Sequence, residues 1–206
     1  TEFAEALAKS PSVLAMFEND NGDYPETTGT VILGDDVGGI LASGVIQNID
    51  PLKQSSSQGI AVARTDVDNL VRRLPLLMRT PDGWVPAYGT EVLKILAGAD
   101  TYVIRTSENG IEEVRVRGLP PVSVDSLGRR WVSYVDTPET NLSEMDVEGK
   151  FVFVGFTARG IMPQIAVPNN KLLEPHKIQA ALAESILIEN SPYIPNWALA
   201  AEILIF

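Results

Sequence analysis

Two clusters of polar residues in this chain have the types and spacing to do chemistry. The first is Asp66-Val67-Asp68-Asn69-Leu70-Val71-Arg72-Arg73, where two carboxylates stand a few residues before two guanidinium groups. Asp66, Asp68 and Arg72 can therefore form a ligand or ion site. The second is the loop Thr157-Ala158-Arg159-Gly160, which follows the apolar run Phe151-Val152-Phe153-Val154 and Gly155. That run is short and β-rich enough to be a strand buried on both faces. Ligands of open α/β sheets lie beyond the carboxyl ends of strands, which makes Thr157 and Arg159 candidates for binding. A phosphate cradle is the first chemistry this suggests, but neither G-x-G-x-x-G nor G-x-x-x-x-G-K-[ST] is present.

Each cluster also has a structural reading, and in both cases it is the favoured one. Asp66 and Asp68 suit an Asx-type turn before a strand, with an arginine paired to an acidic neighbour. Adjacent strand residues point to opposite faces, so Arg72 and Arg73 are not expected to serve one site. In the loop, Gly155 and Gly160 can supply backbone angles and close packing against a later helix. His176, near a helix start, suits either a pH sensor or a half-exposed neighbour of the cap. The positive end of the helix dipole disfavours its protonated form.

Other chemistries are excluded by what is missing. The chain has no cysteine, so disulfides, zinc thiolates and cysteine nucleophiles do not arise. A single histidine leaves little room for a His-based metal site or a Ser-His-Asp triad. Ser123, Ser126 and Ser133 have no base beside them in sequence, and no carboxylate pair stands out for glycoside hydrolysis. The polar stretch 18–30 lacks the alternating oxygens and closing Glu of an EF-hand and reads as a solvated loop. No catalytic residue, no metal and no cofactor are expected.

The chain has 206 residues, enough for one large domain or two small ones, and 45% hydrophobic against 21% charged residues is ordinary for a globular fold. A formal charge of −11 argues against nucleic acid and against an anionic lipid surface. The chain opens inside an amphipathic helix, without an initiator Met or a signal peptide. It closes on the apolar stretch from Trp197 to Phe206, too short to span a bilayer. That stretch reads either as an ordinary terminal helix or, over 195–206, as the approach to a membrane helix with Trp197 at interface depth.

The elements that must position these residues can be read in outline. A helix over 2–9 stops at Ser10-Pro11, and 13–17 is a short buried strand. Residues 34–58, with their glycines and serines, make a long surface excursion. A strand follows at 60–63, then paired strands at 70–78 and 83–86 around the turn Thr80-Pro81-Asp82-Gly83. Pro86-Ala87 opens a helix that ends at Gly98. Strands at 102–105 and 111–117 flank Glu108-Asn109-Gly110, a strong hairpin signal. Further strands at 131–135 and 151–154 precede a helix from Pro175 to about 188. Interspersed strands and helices predict an α/β fold, a single mixed β-sheet domain with flanking helices.

In this order the motifs resemble the type-two CHASE domain, a sensory extracellular module associated with cyclases and histidine kinases. The family's D-x-x-L-A-x-A-L helix and following strand are answered by Glu2-Phe3-Ala4-Glu5-Ala6-Leu7 and Val13-Leu14-Ala15. Its D-x-D-G-x-x-R-R-x-P is answered by the stretch from Asp66 to Pro75, with Asn69 for the usual Gly. Its P-S-x-A helix start is answered by Pro86-Ala87-Tyr88-Gly89. The most diagnostic motif, G-K-x-V-x-V-G-x-T-A-x-G-L, is closely matched by residues 149–161, which end in Ile161, so that Gly149, Lys150, Gly155, Thr157, Ala158, Gly160 and, further on, Pro168 stand at family-motif positions of structural kind. Departures follow. Pro163 replaces the family's Asp, Val167-Pro168 its Thr-Pro, Gln179 its His, and His176 stands where a glycine is expected.

The resemblance implies an extracytoplasmic sensory domain, at a periplasmic or cell-surface location, of a bacterial membrane receptor. It implies membrane helices flanking the domain and a cytoplasmic cyclase or kinase as output. The partner would be an unknown small molecule or envelope component, and a homodimer is compatible with such receptors. The first strand and helix of the family's domain are not found ahead of residue 2, which suggests an N-terminally incomplete domain. Two alternatives stay open: a free-standing soluble α/β enzyme with its site after Val154, and an adaptor domain without a ligand.

Overall fold

The computed structural model describes residues 2–135, 138–140, 147–158, 163–169, 171–189, 191–192 and 198–205, with backbone alone at 199 and 200. The elements of the first half are α1 (Glu2–Leu7), β1 (Val13–Asp23), β2 (Gly29–Leu33), β3 (Ile40–Leu41), β4 (Val45–Ile46), α2 (Asp50–Lys53), β5 (Ser57–Ile60), β6 (Arg73–Pro75) and β7 (Leu77–Thr80). The second half adds β8 (Gly83–Pro86), α3 (Tyr88–Leu96), β9 (Thr101–Ser107), β10 (Gly110–Val116), β11 (Val122–Ser123), β12 (Arg129–Trp131), β13 (Ile165–Val167), β14 (Lys171–Leu173), α4 (Pro175–Leu187) and α5 (Ala198–Ile205).

The architecture is α/β with parallel and antiparallel pairing mixed, and the strands are shared among several small sheets rather than gathered in one. Asn109-Gly110 closes the β9–β10 hairpin as expected, and its strands form the centre of a four-stranded sheet ordered β11-β10-β9-β2. The outer strand β2 runs parallel to β9, Gly29 opposite Thr101 through Leu33 opposite Arg105. Tyr102, Ile104, Val114 and Val116 turn one face of this sheet inward, against Ile178, Ala181 and Leu182 of α4. A second, smaller core joins Met16 of β1, Ile60 of β5, Val45 of β4, Met78 of β7 and Val85 of β8.

Strand β1 runs well past the apolar residues that announce it. Its polar half, Glu18 to Asp23, pairs with β4 across a bulge instead of forming a loop. Two glycines allow the approach: a Cβ on Gly22 would lie 2.4 Å from the Val45 carbonyl oxygen, and one on Gly44 would overlap the Gly22 carbonyl. The expected strand at 70–78 divides between two sheets. Residues 73–75 pair with β12 and residues 77–80 with β8. Leu76 marks the change, donating its N–H to Gly128 while its carbonyl accepts from Ala87.

The apolar run 151–154 is not a buried strand. No strand pairs with it among the described residues. Val154 is 75% exposed and Phe156 beyond it 68%, and Phe151 and Val152 are also exposed. Only Phe153 is partly covered, meeting Tyr88 edge to face with ring centroids 5.7 Å apart. Four apolar residues in a row favour burial, but a strand is buried only when other backbones offer it a ladder.

Pro175 stands at the first turn of α4 as anticipated, where its missing N–H costs nothing. Helix α3 starts after Ala87, which offers no side-chain cap, and ends before Gly98 in the left-handed conformation at φ 59°. Helix α5 leaves Ile203, Leu204 and Ile205 exposed. No helix of the described residues is long and apolar enough to cross a membrane.

Candidate functional site

The turn that carries Asp66 and Asp68 is built by its own backbone. Asn69 N–H donates to the Asp66 carbonyl at 3.0 Å, and Asp66 N–H donates to the Leu70 carbonyl at 2.9 Å. Closing it puts Asn69 at φ 62°, a left-handed conformation that glycine adopts freely and asparagine tolerates best among the rest. Asp68 accepts the Leu70 N–H at 3.3 Å in an Asx arrangement.

The arginines close round this turn in an alternating chain of charges. Arg72 donates to both Asp68 oxygens, at 2.8 and 2.6 Å, and its other contact is Asp66 at 3.5 Å. Arg73 reaches Asp66 at 2.5 Å and Asp125 at 3.5 Å, and its guanidinium lies 5.4 Å from the Trp131 ring centroid. Asp125 in turn accepts from Arg129 at 2.8 Å. Arg72 and Arg73 thus do serve one carboxylate, Asp66. Strand β6 begins only at Arg73, so Arg72 is not bound by strand alternation. Arg72, by donating to it, holds the Asp68 carboxyl down to about 2. Three acids and three arginines cancel, and the arrangement clasps the turn to β6 and β12.

The loop after Val154 lies elsewhere, along the starts of α3 and α4. A Cβ on Gly155 would overlap the His176 ring, so the glycine lets the loop rest on the first turn of α4. Burial pushes the His176 imidazole below its ordinary value, against the raising charges of Glu174 and Glu139 and alongside the lowering charge of Lys177. Thr157 and Ala158 are exposed, and Thr157 shares no hydrogen bond with the Asp66 clasp among the described residues. Arg159 and Gly160 lie outside the described residues. Gly149 has a φ of 67°, Lys150 N–H donates to the Val147 carbonyl at 3.1 Å, and Pro168 sits in the β13–β14 turn before Asn169 at φ 66°.

Gln179 was expected only as a departure from the family pattern, and its geometry gives it a definite task. Its amide donates to the Val62 carbonyl at 2.6 Å and accepts the Gly89 N–H at 3.0 Å. Gly89 is one of the first, intrahelically unpaired donors of α3, so Gln179 supplies from α4 the cap that Ala87 lacks. A buried ion-pair group lies nearby on α3, where Glu91 accepts from the Tyr102 hydroxyl at 2.8 Å and pairs with Lys94 at 2.8 Å. Its residues are spread over α3 and β9, and no sequence motif marks them.

Among the described residues, clefts are lined by residues between 19 and 84. One, of about 580 Å³, lies over the β1–β4 bulge between Asn21, Asp23, Gln47 and Lys53. The other, of about 430 Å³, lies beside the β7–β8 turn and is lined by Trp84, Arg79, Asp36, Asp82, Leu41 and Tyr24. No group of His, Cys, Asp and Glu suited to hold a metal ion exists among the described residues.

Compared with known proteins, the chain matches one family model, described as the CHASE2 domain, over residues 1–206. No curated protein and no solved structure matches it.

Proposed function

Because the chain belongs to the CHASE2 family of sensory extracellular domains, we propose that it is the extracytoplasmic sensor of a bacterial transmembrane receptor. In this reading it detects a small molecule or an envelope component and relays the event to a cytoplasmic cyclase or kinase. The observation that carries it is the family match, which runs over all 206 residues. The Asp66 clasp neutralises itself and Gln179 caps a helix, so these polar groups have structural tasks.

Membrane helices outside this chain would anchor the domain, and a homodimer would couple two copies across the membrane. Relay requires a ligand with different affinities for two conformations of the domain. The reading is tested in the full-length gene product. A phosphatase reporter fused directly after Phe206 should be active, because that enzyme folds only outside the cytoplasm. An inactive reporter, together with a fluorescent-protein fusion that is bright at the same position, would overturn it. The output is read separately, as cyclic nucleotide or phosphoryl transfer by the receptor in membranes.

A further inference from the structure

We infer that the 430 Å³ cleft beside the β7–β8 turn is a binding site for a small organic ammonium ion with an apolar body. This rests on the sensory reading and names the class of signal it would take. The floor is rigid. Trp84, 4% exposed, faces Arg79 across the β7–β8 pair, and the Arg79 guanidinium lies 5.5 Å from the Trp84 ring centroid. Beneath the ring, a Cβ on Gly39 would come within 2.5 Å of it, so that only glycine lets the ring settle there.

The positive charge in the cleft is already answered. Arg79 donates to the Asp36 carboxylate at 2.7 Å and to the Asp36 carbonyl at 3.1 Å. What remains is Asp82, exposed in the turn and without an ion pair among the described residues. Apolar surface stands open beside it on the rim, with Leu41 68% exposed and Tyr24 half exposed. A cavity of this size, with one unanswered carboxylate and a lining that mixes Leu41, Tyr24 and Trp84 with polar groups, fits a small cation that carries a hydrocarbon or aromatic body. A net charge of −11 draws such cations and repels anions. An anion would have to take Arg79 from Asp36 and then face Asp82.

The test titrates three probes of one shape into the isotope-labelled chain: phenethylammonium, neutral 2-phenylethanol and anionic 3-phenylpropionate. Amide and indole N–H shifts at residues 79–84 are read by nuclear magnetic resonance. Phenethylammonium should give saturable shifts there with a Kd of about 1 mM or below, and each of the others should bind at least about tenfold more weakly. Asp82→Asn should weaken phenethylammonium about tenfold, and Leu41→Ala about threefold, both with an unchanged thermal midpoint. Absence of saturation, equal binding by 3-phenylpropionate or unchanged affinity in Asp82→Asn would overturn the site. Failure here leaves the receptor reading to the reporter fusion, and an inactive reporter with intact binding overturns that reading alone.

Discussion

The clasp around Asp66 and the apolar run 151–156 stand out equally in the sequence, and the fold treats them in opposite ways. In the clasp, charged residues that belong on a surface are tied into an alternating chain, with Arg73 stacked against Trp131. In the run, residues that belong in a core stand in solvent, with Val154 and Phe156 the most exposed. A polar group with a geometric partner can matter more to a fold than an apolar one without. The clasp finds its partners within two turns and the β6–β12 pair, whereas the run needs a whole strand beside it.

Substitutions can break or sharpen this contrast, and the largest effect should fall on a polar partner that is almost fully buried. Gln179→Leu leaves the Gly89 N–H and the Val62 carbonyl without partners in the core. It should cost about 3 kcal/mol in denaturant unfolding, and a loss below about 1 kcal/mol would show that the cap is dispensable. Arg73→Ala removes the pair with Asp66 and the stack on Trp131. A loss of about 2 kcal/mol is expected, measured by the same unfolding curve. Asn69→Val places a β-branched side chain at φ 62° and should cost about 1–2 kcal/mol, while Asn69→Gly should be close to neutral. If both variants behave alike, the left-handed turn is not what holds the clasp.

Two smaller effects test the ends of the comparison. Asp68 is held at about 2 by Arg72, below its ordinary 3.8. A depressed carboxyl contributes stability above its unfolded value and loses it as pH falls through the folded one. The clasp should therefore weaken between about pH 4 and pH 2. An acid titration of Asp68→Asn should lack that part of the slope. Smallest of all, Val154→Ser should change stability by less than about 0.5 kcal/mol, because the side chain is exposed. A loss of about 2 kcal/mol or more would mean that the run is buried in solution after all.

What could be read directly was local. The hairpin at Asn109-Gly110, the helix start at Pro175 and the turn at 66–70 each follow from dihedral preferences within a few residues. The composition of 18–23 announced a loop, because Asn, Asp and Gly favour turns. It became strand because Gly22 and Gly44 let two backbones meet. Of the candidate site, Asp66, Asp68 and Arg72 were found with their pairing but not with the Arg73, Asp125 and Arg129 continuation. The cleft at Trp84 draws on residues from Tyr24 to Trp84 and had no signal in any one stretch.

The sequence by itself determined the family order of motifs, the mixed α/β class, the main hairpin and the turn chemistry. Those are decided by side chains and dihedrals of residues close in the chain. Only the tertiary structure decided that the strands divide into several sheets, that Leu76 hands one segment from β12 to β8, that Gln179 caps α3 and that 151–156 lies open. Burial and strand pairing depend on what arrives from tens of residues away, and a local pattern carries the demand for a partner without the partner.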